Sequence, residues 1–352
     1  MIEEIFLHNL TITISWRNGM KKFLVTMLFV LLAVTLFAAG QSESVGTPEE
    51  PIVLRFADIH PANNPTGKAD IAFAEAIERN SNGRIKVELY LGGQLGDEKE
   101  YIEQIQMGSL DLCRVSAAPM GQFNEQMNVY TFPYLFKDAD HFWEVLSGQI
   151  GRELFRGLEK AGVYGFAYFD AGTRDFFTNK PINSLADLQG LKIRSMQNEI
   201  CIAGINALGA SAVPMGYSEQ YSATKTGVVN GAENNPPSYL ATSMYEVAPY
   251  YIHDMHVRIP DIVIGSKIAL DKLSAEDLQA IVDAGVEAEK IQRELWDQSV
   301  ADAIEELEKL GTTFYTPTEK DLADFRAAVQ PVYEKYGAKY QDIINRIRAL
   351  EN

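Results

Sequence analysis

The residues best suited to chemistry lie between Ser184 and Asn198, in the run SLADLQGLKIRSMQN. Ser184 can cap a short amphipathic turn, LADLQ, which Gly190 ends, and LKIR then reads as a brief strand. A helix is expected to begin near Gln197, which puts Arg194 at the carboxyl end of a strand. In open α/β sheets that edge is where ligands sit. A guanidinium there is a planar fork of donors that can grip a carboxylate or phosphate in two places.

The elements that position this arginine alternate along the chain. IVLRFADI, RIKVELYLG, LDLCRVS and VYGFAYFD read as strands, separated by helical patterns over Thr66–Asn80, Lys99–Met107 and His141–Leu146. Such alternation predicts an α/β fold with sheets covered by helices. A second set follows Asp175: DFFTN, LKIR, a helix to Leu208, SAVPM, VVNGAE and two extended segments around Pro260. Ser274 to Leu310 reads as one helix, capped at Ser274 with Asp277 three residues on and stopped by Gly311. At 1.5 Å per residue it would span about 55 Å, a length suited to bridging two lobes.

Other candidates sit where such strands end. Ser116 closes LDLCRVS, and Arg114 lies two residues earlier on the same strand face, as a third donor or a brace. His60 and Asn64 occupy the loop HPANNPTGK after the first strand. Glu98, next to Asp97, could accept hydrogen bonds from hydroxyls or favour a helix N-terminus. The five histidines are scattered, and His253 and His256 are expected on opposite faces of one strand, so no metal or cofactor is expected. Cys113 and Cys201 have apolar neighbours and read as buried free thiols.

Composition bounds the partners. Of 352 residues, 31 are Lys or Arg and 48 are Asp or Glu, a net charge of −17, which argues against nucleic acid. From Met20, two lysines, an apolar run and Ala38-Ala39-Gly40 form a signal-peptide pattern over residues 20–40, with cleavage before Gln41 or retention as an anchor. Residues 1–19 fit no such pattern and are expected to precede the true start. Residues 41–51 are polar and read as a flexible tether.

Four segments carry a resemblance: LGGQLGDEKEYIEQIQMGSLDL, AGTRDFFTNKPINSLADLQGLKIR, VPMGYSEQYSATKTGVVNGAEN and YEVAPYYIHDMHVRIP. In that order they resemble the extracytoplasmic solute-binding proteins of TRAP transporters, the tripartite carboxylate uptake systems, from about Ile52 to Ile347. The resemblance implies a monomeric, two-lobed periplasmic binding protein with mixed sheets, hinge strands and one long helix bridging both lobes. The first lobe is expected over 52–171 plus about 259–290, the second over 172–258 plus about 291–350, with hinges near Asp170–Gly172 and Arg258–Asp261. The implied function is capture of a carboxylate and delivery to small and large membrane subunits, without catalysis.

By the same resemblance, Arg194 grips the carboxylate, Arg174 in AGTRDF adds a second arginine, and Asn234 in NGAENNPPSY an amide. Tyr217 in VPMGYSEQ matches an aromatic placed against the ligand. The doubled asparagine, with HPANNPTGK and CRVSAAP, looks like the branch for uronic acids, where His60, Asn64, Ser116 and Asn235 would meet hydroxyls. Glucuronate and galacturonate are the first candidates. A C4-dicarboxylate, a short hydroxy acid, or an exported carbohydrate hydrolase are the alternatives. A cleft arginine of this kind is expected to be wetted rather than packed.

Overall fold

The computed structural model describes residues 50–351. The upstream residues 1–19, the signal segment and nearly all of the tether lie outside the described residues. Alternating strands and helices give β1 (Ile52–Ala57), β2 (Ile85–Tyr90), β3 (Leu112–Ser116), β4 (Val163–Phe169), β5 (Thr173–Thr178), β6 (Lys192–Ser195), β7 (Ser211–Pro214), β8 (Gly231–Asn234), β9 (Tyr250–Arg258), β10 (Asp261–Ser266) and β11 (Thr313–Tyr315). They form one sheet in the order β2-β1-β3-β10-β4 and another in the order β11-β9-β5-β8-β6-β7. Both are mixed. β1 runs parallel to β2 and β3, whereas β10 is antiparallel to β3 and β4. β6 is parallel to β7 and β8, and β5 antiparallel to β8 and β9.

The chain passes from the first sheet to the second between Phe169 and Thr173, and returns between Arg258 and Asp261. At the first passage Gly172 has φ 61, and a Cβ there would come within 3.1 Å of Trp296, so only glycine fits without strain. Asp170 is held from several sides. Its Oδ1 accepts from Gly172 N at 2.7 Å, and its Oδ2 from Trp143 Nε1 at 3.0 Å and Arg258 Nη2 at 2.5 Å. Gln292 donates to the Asp170 carbonyl and accepts from its amide, both at 2.7 Å.

Gln292 and Trp296 belong to the long helix Ala275–Lys309, whose 35 residues give about 52 Å. Ser274 Oγ accepts from Asp277 N at 3.1 Å, the cap the sequence implies. The N-terminal half buries Ile281, Ala284 and Ala288 against Phe73 and Phe166 beside the first sheet. Leu307, near the other end, packs with Phe177 and Tyr251 of the second and with Tyr239 of the helix Pro236–Ala241. One helix therefore contacts both halves.

The helix Gln330–Arg348, expected in the second lobe, bonds to residues expected in the first. Ile347 O lies 2.9 Å from His141 Nε2, Tyr333 Oη donates to Pro133 O at 2.7 Å, and Arg346 pairs with Glu153 at 2.8 Å. Cys113 is buried and Cys201 only partly buried, and both are free. β9 departs from strict alternation: Phe176 faces Ile252 and Arg174 faces Val257, so the residues between bulge, with Met255 at φ 49. His256 consequently stacks on Phe176, and His253 on Phe314.

Candidate functional site

β6 is short because Gly190 turns the chain into it and Asn198 caps the helix Glu199–Ala207 just beyond. This places Arg194 in a cavity between the two sheets, where it is 2% exposed, packed rather than wetted. Its Nε and Nη2 donate to Met215 O at 3.1 and 2.9 Å. Nη1 is buried with no partner, and among the described residues no carboxylate pairs with this guanidinium. Burial lowers the Arg194 pKa, nearby Arg174 adds to that, and Glu233 opposes it. A positive charge is thus fixed in orientation with one donor edge uncommitted.

Arg174 lines the same cavity but is already paired. Asp175 is its neighbour along β5 and faces away, bonding Tyr251 Oη and Met255 N. The partner is Glu233 on β8. Arg174 Nη2 lies 3.1 Å from Glu233 Oε1 and 2.7 Å from its carbonyl, and Nε bonds Oε2. Nη1 donates to Asn234 Oδ1 at 3.0 Å. The Asn234 amide nitrogen makes no hydrogen bond among the described residues, and this side chain also lines the cavity. Tyr217 lies 5.6 Å from the His60 ring; its buried hydroxyl has no partner, and burial pushes its pKa up to about 12.

Behind Arg174 runs an alternating chain of charge. Burial alone would raise Glu233, yet Arg174 and His256 bring it to about 2. Burial would lower His256, but Asp254 at 2.9 Å and Glu233 raise it to about 9. A histidine whose folded pKa lies above its unfolded value of about 6.5 contributes stability fully below that pH, and loses it as pH rises through 9. The melting temperature should therefore fall between about pH 6.5 and about 9, and His256→Asn should flatten that slope. An identical slope in the variant counts against this account.

The first-sheet wall is built around Arg114, which is 1% exposed. It meets Asp58 Oδ1 at 2.7 Å, Glu98 Oε1 at 2.9 Å and Asp261 Oδ1 at 3.3 Å, and bonds His60. These bonds brace the wall, while the buried Nε of Arg114 makes no hydrogen bond. Glu98 begins the helix Glu98–Met107 and also accepts from Ser116 N at 2.7 Å; Ser116 Oγ caps the helix Ala117–Met120. Glu98, His60, Ser116 and Arg114 all face the cavity.

Two expected ligand contacts are differently employed. Asn64 lies outside the lining, and its Oδ1 caps the helix Pro65–Asn80 by accepting from Thr66 N at 2.9 Å, while its buried Nδ2 makes no hydrogen bond. Asn235 lines the cavity, but its Oδ1 accepts from Ser238 N at 2.8 Å. Its Nδ2 donates to Ala171 O and to Asn234 Oδ1, which leaves no N–H for a hydroxyl. Both asparagines precede proline, the first helical residue, and the same dipeptide suits a cap or a loop site. Sequence reasoning missed Met196, Ser238 and Asp261 as lining residues. Asp261 alone had a signal, an acid directly after Pro260 at a chain crossing.

The free space within is about 20 Å³ for the centres of water molecules, and a single water needs roughly 10–15 Å³. A sugar-sized ligand enters only if the walls part.

Residues 56–339 match the DctP family, described as bacterial extracellular solute-binding protein, family 7. A TRAP periplasmic solute-binding protein from Pseudomonas putida F1, solved with bound D-glucuronate, is 37% identical and covers 86% of this chain and 98% of its own, with a TM-score of 0.83. The counterpart from Sulfitobacter sp. NAS-14.1, with bound β-D-galacturonate, is 36% identical over 85% of this chain and 98% of its own, with a TM-score of 0.80. The C4-dicarboxylate-binding periplasmic protein DctP of Rhodobacter capsulatus is 32% identical over 87% of this chain and 93% of its own.

Proposed function

The chain belongs to the bacterial extracellular solute-binding proteins of family 7, and from that premise we propose that it captures a uronate, D-glucuronate or D-galacturonate, for a TRAP transporter. The observation that carries the proposal is Arg194: a buried guanidinium, held by Met215 O, with Nη1 unpartnered and no acid paired with it among the described residues. Burying a lone charge is costly unless a counter-charge arrives, and a ligand carboxylate supplies one. The unbonded amide nitrogen of Asn234 and the unpartnered hydroxyl of Tyr217 stand beside it for neutral hydrogen bonds. Arg174 acts by holding Asn234 in place and by its charge. Structural relatives that carry glucuronate and galacturonate support the choice of ligand.

Export to the periplasm, cleavage before Gln41, a monomeric state and delivery to small and large membrane subunits belong to the same proposal. So does hinged opening of two lobes at Asp170–Gly172 and Arg258–Asp261, a reading that the small cavity volume supports. Ligand must then favour the closed arrangement over the open one. Small-angle scattering with and without saturating glucuronate should show a smaller radius of gyration in the liganded protein. An unchanged radius at saturation, with binding verified by calorimetry, removes the hinge.

A further inference from the structure

The two walls of the cavity differ in charge. The second-sheet wall presents Arg194 without an acid, beside an Arg174 already neutralised by Glu233. On the first-sheet wall a single guanidinium, Arg114, is shared among Asp58, Glu98 and Asp261. That wall therefore holds more carboxyl groups than its guanidinium can neutralise, and two of them, Glu98 and Asp261, line the cavity, with their pKa values raised by burial. Glu98 commits Oε1 to Arg114 and Ser116 N, and its Oε2 makes no hydrogen bond among the described residues. Asp261 has only the 3.3 Å contact of Oδ1 with Arg114.

We propose that Glu98 and Asp261 are specificity-determining residues, which accept hydrogen bonds from ligand hydroxyls and exclude any ligand bearing a second carboxylate. The proposal rests on Arg194 as the carboxylate anchor. A carboxylate fixed at Arg194 turns the remainder of the ligand toward the first-sheet wall. Hydroxyls there donate to carboxylate oxygens in charge-assisted bonds. A second carboxylate has no proton to donate and meets like charge in a nearly water-free space, where repulsion is weakly screened. Arg114 relieves this only in part: it lines the cavity with Nε unpartnered, but its one charge is already shared among three acids. The site is thus selective for a polyhydroxylated monoacid, and a dicarboxylate of the same length is rejected.

The test compares D-gluconate with D-glucarate, open-chain acids that differ in a terminal hydroxymethyl against a second carboxylate, with succinate as a shorter diacid. Calorimetry is run at about pH 8 on wild type, Glu98→Gln and Asp261→Asn, an alkaline pH chosen because burial raises the pKa of both acids. The readout is the ratio of the two affinities within each protein, which a general loss of packing does not move. Wild type should prefer gluconate, and each amide variant should shift the ratio toward glucarate by about tenfold or more, the effect of removing one nearby like charge. Should one variant fail to fold, the other decides. An unchanged ratio in the folded variants overturns the proposal and leaves the uronate reading standing. Wild-type protein that binds glucarate or succinate as tightly as gluconate also overturns it, and if it takes no uronate the underlying reading falls too.

Discussion

Arg194→Ala should weaken binding of glucuronate or galacturonate by about thirtyfold to several thousandfold. Losing one partner of a buried charge pair costs about 2–5 kcal/mol, and each decade of affinity is about 1.4 kcal/mol. Arg194→Lys should not restore binding. An ammonium on a flexible stem cannot hold Met215 O through two donors and keep a third edge aimed into the cavity. The unliganded alanine variant should keep or raise its melting temperature, because it loses a buried charge that lacks an acid partner. Calorimetric titration and a thermal melt of each variant decide the matter. Binding within about threefold of wild type, under ~1 kcal/mol, removes Arg194 as the anchor.

Glucose and galactose should bind at least about a hundredfold more weakly than glucuronate and galacturonate. A neutral sugar leaves Arg194 Nη1 dry and without counter-charge, and an unsatisfied buried charged donor costs about 3 kcal/mol. The hydroxyls of sugar and uronate are otherwise the same, so the difference isolates the carboxylate. Side-by-side calorimetry of each pair is the measurement. Equal affinity within a pair would show that the cavity reads the ring and ignores the acid.

Much of the frame is legible residue by residue because its signals are local. Ser274, Asp277 and Gly311 bound a helix read as Ser274–Leu310 and found as Ala275–Lys309. Capping and helical periodicity depend on residues within a turn or two, so tertiary context has little to add there. LKIR is a strand ending beside Arg194 for the same reason. The C-terminal helix is different. Its existence is local, but its attachment to Pro133, His141 and Glu153 depends on which apolar face finds a partner far away in the chain.

The site divides along the same line. The sequence by itself determined the α/β alternation, the bridging helix, the order of the motifs and an arginine at a strand edge. Only the tertiary structure decided which polar atoms remain free. Asn64 and Asn235 are chemically fit for a hydroxyl, yet helix N-termini, which need the same short side chain after extended backbone, take the oxygen of each; Asn235 has no N–H left, and Asn64 keeps a free Nδ2 but lies outside the cavity lining. Arg174 could not pair with Asp175, since adjacent strand residues face opposite ways, and Glu233 across the sheet took that role. Arg114 meets Asp58, Glu98 and Asp261, which are scattered over the sequence and converge through the first sheet and its connections. Among the described residues Arg194 pairs with a backbone carbonyl and no acid, because the neighbouring segment offers Met215 O at that edge, and so its charge is left for something else.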